Sequence, residues 1–82
     1  MSNIDIYTKT TCAFSRRAKD LLRNKGVTFN EIAIDDNSQL RDVMVMRSKQ
    51  ATTPQIFIDN RHIGGYDDLS ALDQRGELDP LL

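Results

Sequence analysis

The chain has 82 residues, a formal net charge of −1 and 28% charged residues. That length holds one domain, residues 1–82, with no room for a second, and the balanced charge offers no basic field for nucleic acid or an anionic membrane, so neither is expected as a partner. No apolar run approaches a spanning helix, the start Met1-Ser2-Asn3-Ile4-Asp5 lacks the regions of a signal peptide, and a lone cysteine closes no internal disulfide, so a reducing cytoplasm is the expected setting.

Residues 3–7 read as a strand, with Ile4 and Ile6 on one face. Residues 8–11 form a loop rich in hydroxyls. From Ala13 the pattern turns helical, because Ala18, Leu21 and Leu22 fall at i, i+3, i+4. Gly26, after Lys25, stands where a left-handed C-terminal cap belongs. Residues 27–34 alternate through Val27, Phe29, Ile32 and Ile34, with a slip near Glu31, and read as a second strand. Strand, helix and strand of these lengths suggest a βαβ unit with parallel strands. Asp35, Asp36, Asn37 and Ser38 supply turn and N-cap residues. A second helix is predicted to run to about Ser48, with Leu40, Val43 and Met44 inward. Residues 49–53 form a polar loop, and Pro54 keeps Thr53 extended.

Residues 55–58 are a short strand with Ile56 and Ile58 on one face and Phe57 on the other. Asp59-Asn60 fits a two-residue hairpin turn leading into a fourth strand at 61–63. Gly64-Gly65 break that strand, and Asp67 and Asp68 open a third helix where its dipole favours acidic groups. Leu69 and Leu72 face inward, Gly76 ends the helix, and Asp79-Pro80 starts one last turn. The order βαβαββα gives an α/β fold: one mixed four-stranded sheet covered by three helices.

Cys12 sits where the first strand hands over to the first helix. Free N–H groups and the positive end of the helix dipole meet a side chain there. Both stabilise a thiolate and make the sulfur reactive near neutral pH. Lys9, Arg16 and Arg17 add nearby positive charge. The bland alternative is a small buried core residue, the commonest fate of a free cysteine. His62 has no second histidine near it and makes a poor metal site, so it is expected at a strand surface. Met44 and Met46 suit the core and flank of a helix rather than ligation, and no metal-binding set is expected.

The cysteine at a βα junction, Thr52-Thr53-Pro54 ahead of the third strand and Gly64-Gly65-Tyr66-Asp67-Asp68 ahead of the last helix together resemble a glutaredoxin. Ile6-Tyr7-Thr8-Lys9, Lys25-Gly26-Val27, Pro54-Gln55-Ile56-Phe57-Ile58, His62-Ile63-Gly64-Gly65 and Leu78-Asp79-Pro80-Leu81-Leu82 extend the resemblance over nearly the whole chain, closest to the short bacterial members. It implies a thioredoxin-like fold, a cis Thr53–Pro54 bond and a glutathione-dependent thiol–disulfide oxidoreductase with Cys12 as nucleophile. It further implies that Lys9, with Arg41 assisting, receives the glycine carboxylate of glutathione. Thr53, beside Pro54, would pair with the cysteinyl peptide group as a short β-augmentation. Gly65, Tyr66 and Asp67 would hold the γ-glutamyl end, and Phe14 would wall the groove. Without the resemblance, Lys9 and Arg41 read as solvated charges, the Thr53-Pro54 and glycine segments as turns, and Tyr66 as core.

One departure matters for the chemistry. The common glutaredoxin motif Cys-Pro-Tyr-Cys is Cys12-Ala13-Phe14-Ser15 in this chain. Without a resolving cysteine, the implied route is monothiol, acting on glutathionylated proteins or small disulfides. The tetrapeptide fits a natural monothiol site and equally a dithiol enzyme whose resolving cysteine was replaced by serine. It also approaches the Cys-Gly-Phe-Ser of monothiol members, many of which hold a [2Fe–2S] cluster, although the loop insertion and Trp-Pro motif of that class are absent. The chain is thus expected to be a monomer, or a dimer if two Cys12 thiolates and two glutathiones share a cluster. A redox-inactive binding domain of the same fold is the third option. The Cys12 pKa is expected to fall chiefly through the N–H groups of Phe14 and Ser15, with the dipole, Lys9 and the Ser15 hydroxyl assisting.

Overall fold

The structure, a computed structural model, describes residues 2–82. Its elements are β1 (Ile4–Thr8), α1 (Ala13–Asn24), β2 (Asn30–Ala33), α2 (Ser38–Ser48), β3 (Gln55–Ile58), β4 (Arg61–Gly64) and α3 (Tyr66–Gln74), then a 3₁₀ turn at Asp79–Leu81. The sheet order is β2-β1-β3-β4. β1 pairs parallel with β2 and antiparallel with β3, and β3 pairs antiparallel with β4. This is the mixed four-stranded sheet with three helices that the element order predicts.

Strand alternation divides the core between the two faces of the sheet. Ile4, Ile6, Ile56 and Ile58 pack with Ala18 and Leu22 of α1 and Leu69 of α3. Tyr7 and Phe57 pack on the opposite face with Ile34 and Met44 of α2. β3 is buried along its whole length, so both of its faces drive folding, with each large apolar side chain contributing about 1.5–3 kcal/mol of transfer energy. The Asp59-Asn60 turn has both residues at positive φ, +50° and +66°, the geometry of a tight two-residue hairpin. Gly26 follows the α1 C-cap at φ +74°, as its place in the sequence predicts. Lys25 at that cap reaches Asp73 and Asp79 at 2.5 and 2.9 Å and ties α1 to the last helical segments.

Three local expectations are corrected. The second strand is shorter than residues 27–34. Its ladder with β1 begins at Asp5↔Asn30, and Val27 and Phe29 instead pack as coil against the core. Their alternation records packing against the core rather than pairing. Val43 does not face inward and is 43% exposed. Along α2 the covered line runs Leu40, Met44, Ser48, with Val45 packed beside it, and Val43 falls outside that face. His62 is half-buried rather than a surface residue, and its ring lies 5.0 Å from that of Phe57.

Gly64 has φ +125°, and a Cβ there would overlap the Asp68 carboxylate. Gly26 also has positive φ, but a Cβ there meets nothing. Gly26→Ala should therefore lose about 1–2 kcal/mol from backbone conformation alone, and Gly64→Ala should lose about 3 kcal/mol. Urea unfolding of the two variants measures the difference, and equal losses would refute the steric argument.

Candidate active site

The site begins at the carboxyl end of β1. The Thr10 N–H and hydroxyl each reach the Asp35 carboxylate at 3.0 Å and hold the loop after β1 against the loop after β2. The Thr10 N–H is also the main reason the Asp35 carboxyl sits below its ordinary range. The Cys12 N–H donates to the Lys9 carbonyl at 3.1 Å, which turns the chain into α1 with Cys12 as an extended N-cap. Its side chain therefore stands over the first turn of the helix, where an N-cap group meets free N–H donors. The Cys12 thiol donates to the Thr53 carbonyl at 3.6 Å.

Burial is the largest single influence on the thiol and pushes its pKa up. The Ser15 hydroxyl, the Thr53 hydroxyl, and the N–H groups of Ser15 and Phe14 together outweigh burial and hold the pKa at about 7, below the ordinary 9.0. The thiol is thus poised as the helix start predicts, but the ranking of causes differs from expectation. The hydroxyls lead, the amides follow, and Lys9 is not among the leading causes. The Ser15 side chain is buried directly beneath the sulfur's turn of helix, at 1% exposure, and a buried hydroxyl acts at short range where water does not compete. Among the described residues the Lys9 side chain makes no hydrogen bond to the sulfur.

Two recesses flank this cysteine. The first is a cleft of about 230 Å³ lined by Phe14, Gln50, Thr52, Thr53, Pro54, Gly65, Tyr66, Asp67 and Asp68. The rings of Phe14 and Tyr66 lie 6.2 Å apart across it, and Arg17 covers Phe14 at 5.3 Å. Phe14 is half exposed, so this aromatic wall is open to a ligand. The Thr53–Pro54 bond is cis. Gly65 is the N-cap of α3, close enough to the Pro54 carbonyl that an added Cβ would touch it at 3.4 Å. Two adjacent acidic residues divide their work there. Asp68 accepts from the Gly65 N–H at 3.1 Å and caps the helix, whereas Asp67 lines the cleft and has no side-chain hydrogen bond or ion pair among the described residues.

The second recess, about 510 Å³, contains Lys9 and Arg41 together with Asp35, Asp36 and Asn37. Neither Lys9 nor Arg41 makes an ion pair among the described residues. The residues singled out from sequence thus fall into two groups. Phe14, Thr53, Pro54, Gly65, Tyr66 and Asp67 share the first cleft, Lys9 and Arg41 share the second, and Cys12 adjoins both through Thr53 and Lys9. Gln50 and Thr52 were missed as lining residues; the polar loop before Pro54 was the only signal for them. Gln55, fully buried and bonded to both, gave no signal, since its strand pattern reads the same for an exposed glutamine.

The glutaredoxin family model matches residues 4–63. The chain is 60% identical over 82 residues to Glutaredoxin 3 of Escherichia coli K12, covering 100% of this chain and 99% of that protein. It is 46% identical to a glutaredoxin of Pseudomonas aeruginosa, covering 100% and 98%. Among solved structures, a buckwheat glutaredoxin–glutathione complex superposes with a TM-score of 0.91 at 28% identity, over 99% of this chain and 76% of that one. A glutaredoxin from Brucella melitensis gives 0.86 at 49% identity, over 98% and 87%.

Because the folded pKa of Cys12 lies below its ordinary value, the thiolate stabilises the reduced fold in full above about pH 9, and that contribution is lost as pH falls through about 7. Ultraviolet titration of the thiolate should give a midpoint near 7 for the parent. Ser15→Ala should raise it substantially and Lys9→Ala should scarcely move it. A parent midpoint at the ordinary value, or a larger shift from Lys9→Ala, would contradict the assignment.

Proposed function

Because the chain belongs to the glutaredoxin family of thiol oxidoreductases, we propose that it reduces glutathione mixed disulfides by a monothiol route with Cys12 as the nucleophile. The observation that carries this reading is a thiol of pKa about 7 beside an open cleft, with Ser15 at the position where a resolving sulfur would stand. A thiol that titrates near ambient pH combines a large thiolate fraction with retained nucleophilicity. Whichever way the serine arose, it leaves Cys12 to act alone.

In the first step the Cys12 thiolate attacks the glutathione sulfur of a mixed disulfide. The substrate leaves as a thiolate and takes a proton from water, and glutathione stays bonded to Cys12. In the second step a second glutathione thiolate attacks the glutathione sulfur of that bond. Oxidised glutathione leaves and the Cys12 thiolate is restored. Each step breaks one S–S bond and forms one. The substrates are glutathionylated proteins and small disulfides in a reducing cytoplasm, and the chain works as a single domain.

The same reading assigns the flanking residues. Lys9 and Arg41 receive the glycine carboxylate, and their lack of ion-pair partners favours that use. The Thr53 backbone, beside Pro54, pairs with the cysteinyl unit. The free N–H groups of Tyr66 and Asp67, presented by the turn at Gly65, suit the γ-glutamyl carboxylate, the uncommitted Asp67 side chain suits its ammonium group, and Phe14 forms the apolar wall. Turnover of a small glutathione mixed disulfide, coupled to glutathione and NADPH, is expected for the parent and abolished in Cys12→Ser. Lys9→Ala should raise the Michaelis constant more than it lowers kcat, since its contact exists before the chemistry begins. Ordinary activity in Cys12→Ser would overturn the proposal.

A [2Fe–2S] cluster shared by two chains is the second reading, favoured by the partial exposure of the Cys12 thiolate. Among the described residues no cluster of His, Cys, Asp or Glu could hold a metal ion, so one chain contributes a single ligand and the others must come from a second chain and from glutathione. Anaerobic reconstitution with iron, sulfide and glutathione should then give a coloured dimer. A colourless monomer would exclude this reading.

A further inference from the structure

We propose that the buried carboxamide of Gln55, held in turn by His62, is a positioning group that fixes the loop at 50–54 against Cys12. This rests on the thiol-reduction reading of the same site. Gln55 opens β3 and is 0% exposed among apolar neighbours. A carboxamide is costly to bury unless its hydrogen bonds are made. Its Nε2 donates to Gln50 Oε1 at 2.9 Å, to the Thr52 carbonyl at 3.0 Å and to Thr52 Oγ1 at 3.3 Å. A backbone carbonyl can only accept, so the amide nitrogen must face Thr52 and the amide oxygen must face His62. At 2.8 Å, His62 Nε2 is therefore the protonated nitrogen and donates to Gln55 Oε1. The imidazole is itself held by the Phe57 ring.

The Ser48 hydroxyl holds the backbone of Gln50 at the start of the loop, but it reaches no further. Among the described residues no backbone–backbone hydrogen bond outside regular elements engages residues 51–54. Thr53 nevertheless meets Cys12, whose thiol donates to the Thr53 carbonyl at 3.6 Å. Thr52, one residue earlier, is where the Gln55 side chain grips the chain. An apolar side chain of similar volume would serve the core equally well. What glutamine adds is a set of bonds directed at this loop. The residue acts on the sulfur through Thr52 and Thr53 rather than by touching it.

The test compares Gln55→Met, His62→Phe and His62→Gln by steady-state reduction of a small glutathione mixed disulfide, thiolate titration and urea unfolding. Gln55→Met keeps the volume and removes every bond. His62→Phe keeps a ring on Phe57 and removes the donor, whereas His62→Gln restores a donor without the ring. Gln55→Met should raise KM about fivefold, the equivalent of about one hydrogen bond, with a smaller change in kcat, and should raise the Cys12 midpoint. His62→Phe should act in the same direction and His62→Gln should return toward the parent. Parent KM and parent midpoint in a folded Gln55→Met would overturn the proposal, even if stability falls. If Gln55→Met does not fold, identical KM and titration in His62→Phe and the parent would overturn it. A parent with no turnover would refute the proposed reaction, while the thiol titration would still test the positioning.

Discussion

The antiparallel pairing of β1 with β3 is the constraint on which this molecule depends. Tyr7 near the end of β1 lies opposite Gln55 at the start of β3. One strand therefore delivers the loop to Cys12 just where the other receives the chain from Thr53 and Pro54. These segments are 41 residues apart in sequence, and their meeting at the sulfur follows from register alone. A slip of one residue would turn Ile56 and Ile58 away from α1 and α3. The apolar alternation that secures the core thus also secures the distance between thiol and loop. The first cleft is completed from the far edge of the sheet, where Gly64 lets β4 turn closely into α3 and Gly65 meets the Pro54 carbonyl.

The thiol shows how modest effects combine when the geometry is fixed. Burial alone would make Cys12 a weaker acid. The opposing groups come from two elements, the first turn of α1 and the loop before β3, and neither element supplies them all. The result is a midpoint close to ambient pH rather than an extreme thiolate. That value suits the proposed role of a sulfur that both attacks and later leaves, because a thiolate of much lower pKa leaves readily but attacks poorly. It also makes reactivity sensitive to the placement of Thr53, and hence to whatever holds that loop.

Much of this was legible in the sequence because it rests on local rules. A cysteine at a strand–helix junction, a glycine after a cationic helix end, Asp59-Asn60 between two short apolar runs and Asp67-Asp68 at a helix start each have a local physical cause. The failures have a different origin. Val27 and Phe29 alternate as a strand would, yet the ladder with β1 starts only at Asn30, so pairing and not polarity set the boundary. Val43 shares a helical period with Leu40 and Met44, and only the docking angle of α2 decides which of them is covered. The burial of Gln55 and the half-burial of His62 depend on each other across the β3–β4 hairpin, and no pattern confined to one element can encode that.

Ser15 connects the fold to the course of the reaction. Its side chain is buried beneath the N-terminal turn of α1, where its oxygen accepts the Lys9 N–H at 3.4 Å and its hydroxyl leads the groups that lower the thiol pKa. A hydroxyl therefore keeps the local hydrogen bonding satisfied while supplying no second sulfur. On the proposed route, once Cys12 carries glutathione no neighbouring thiol can displace it, and release must wait for an external thiolate. The glutathione already bonded to Cys12 then has to keep its sulfur presented to that second molecule. On the proposed route, the residues on either side of Cys12 thus have two tasks: to seat the first glutathione and to keep its sulfur accessible afterwards. An open cleft with a half-exposed aromatic wall meets both requirements better than an enclosed pocket would, because the second thiolate must approach along the S–S axis.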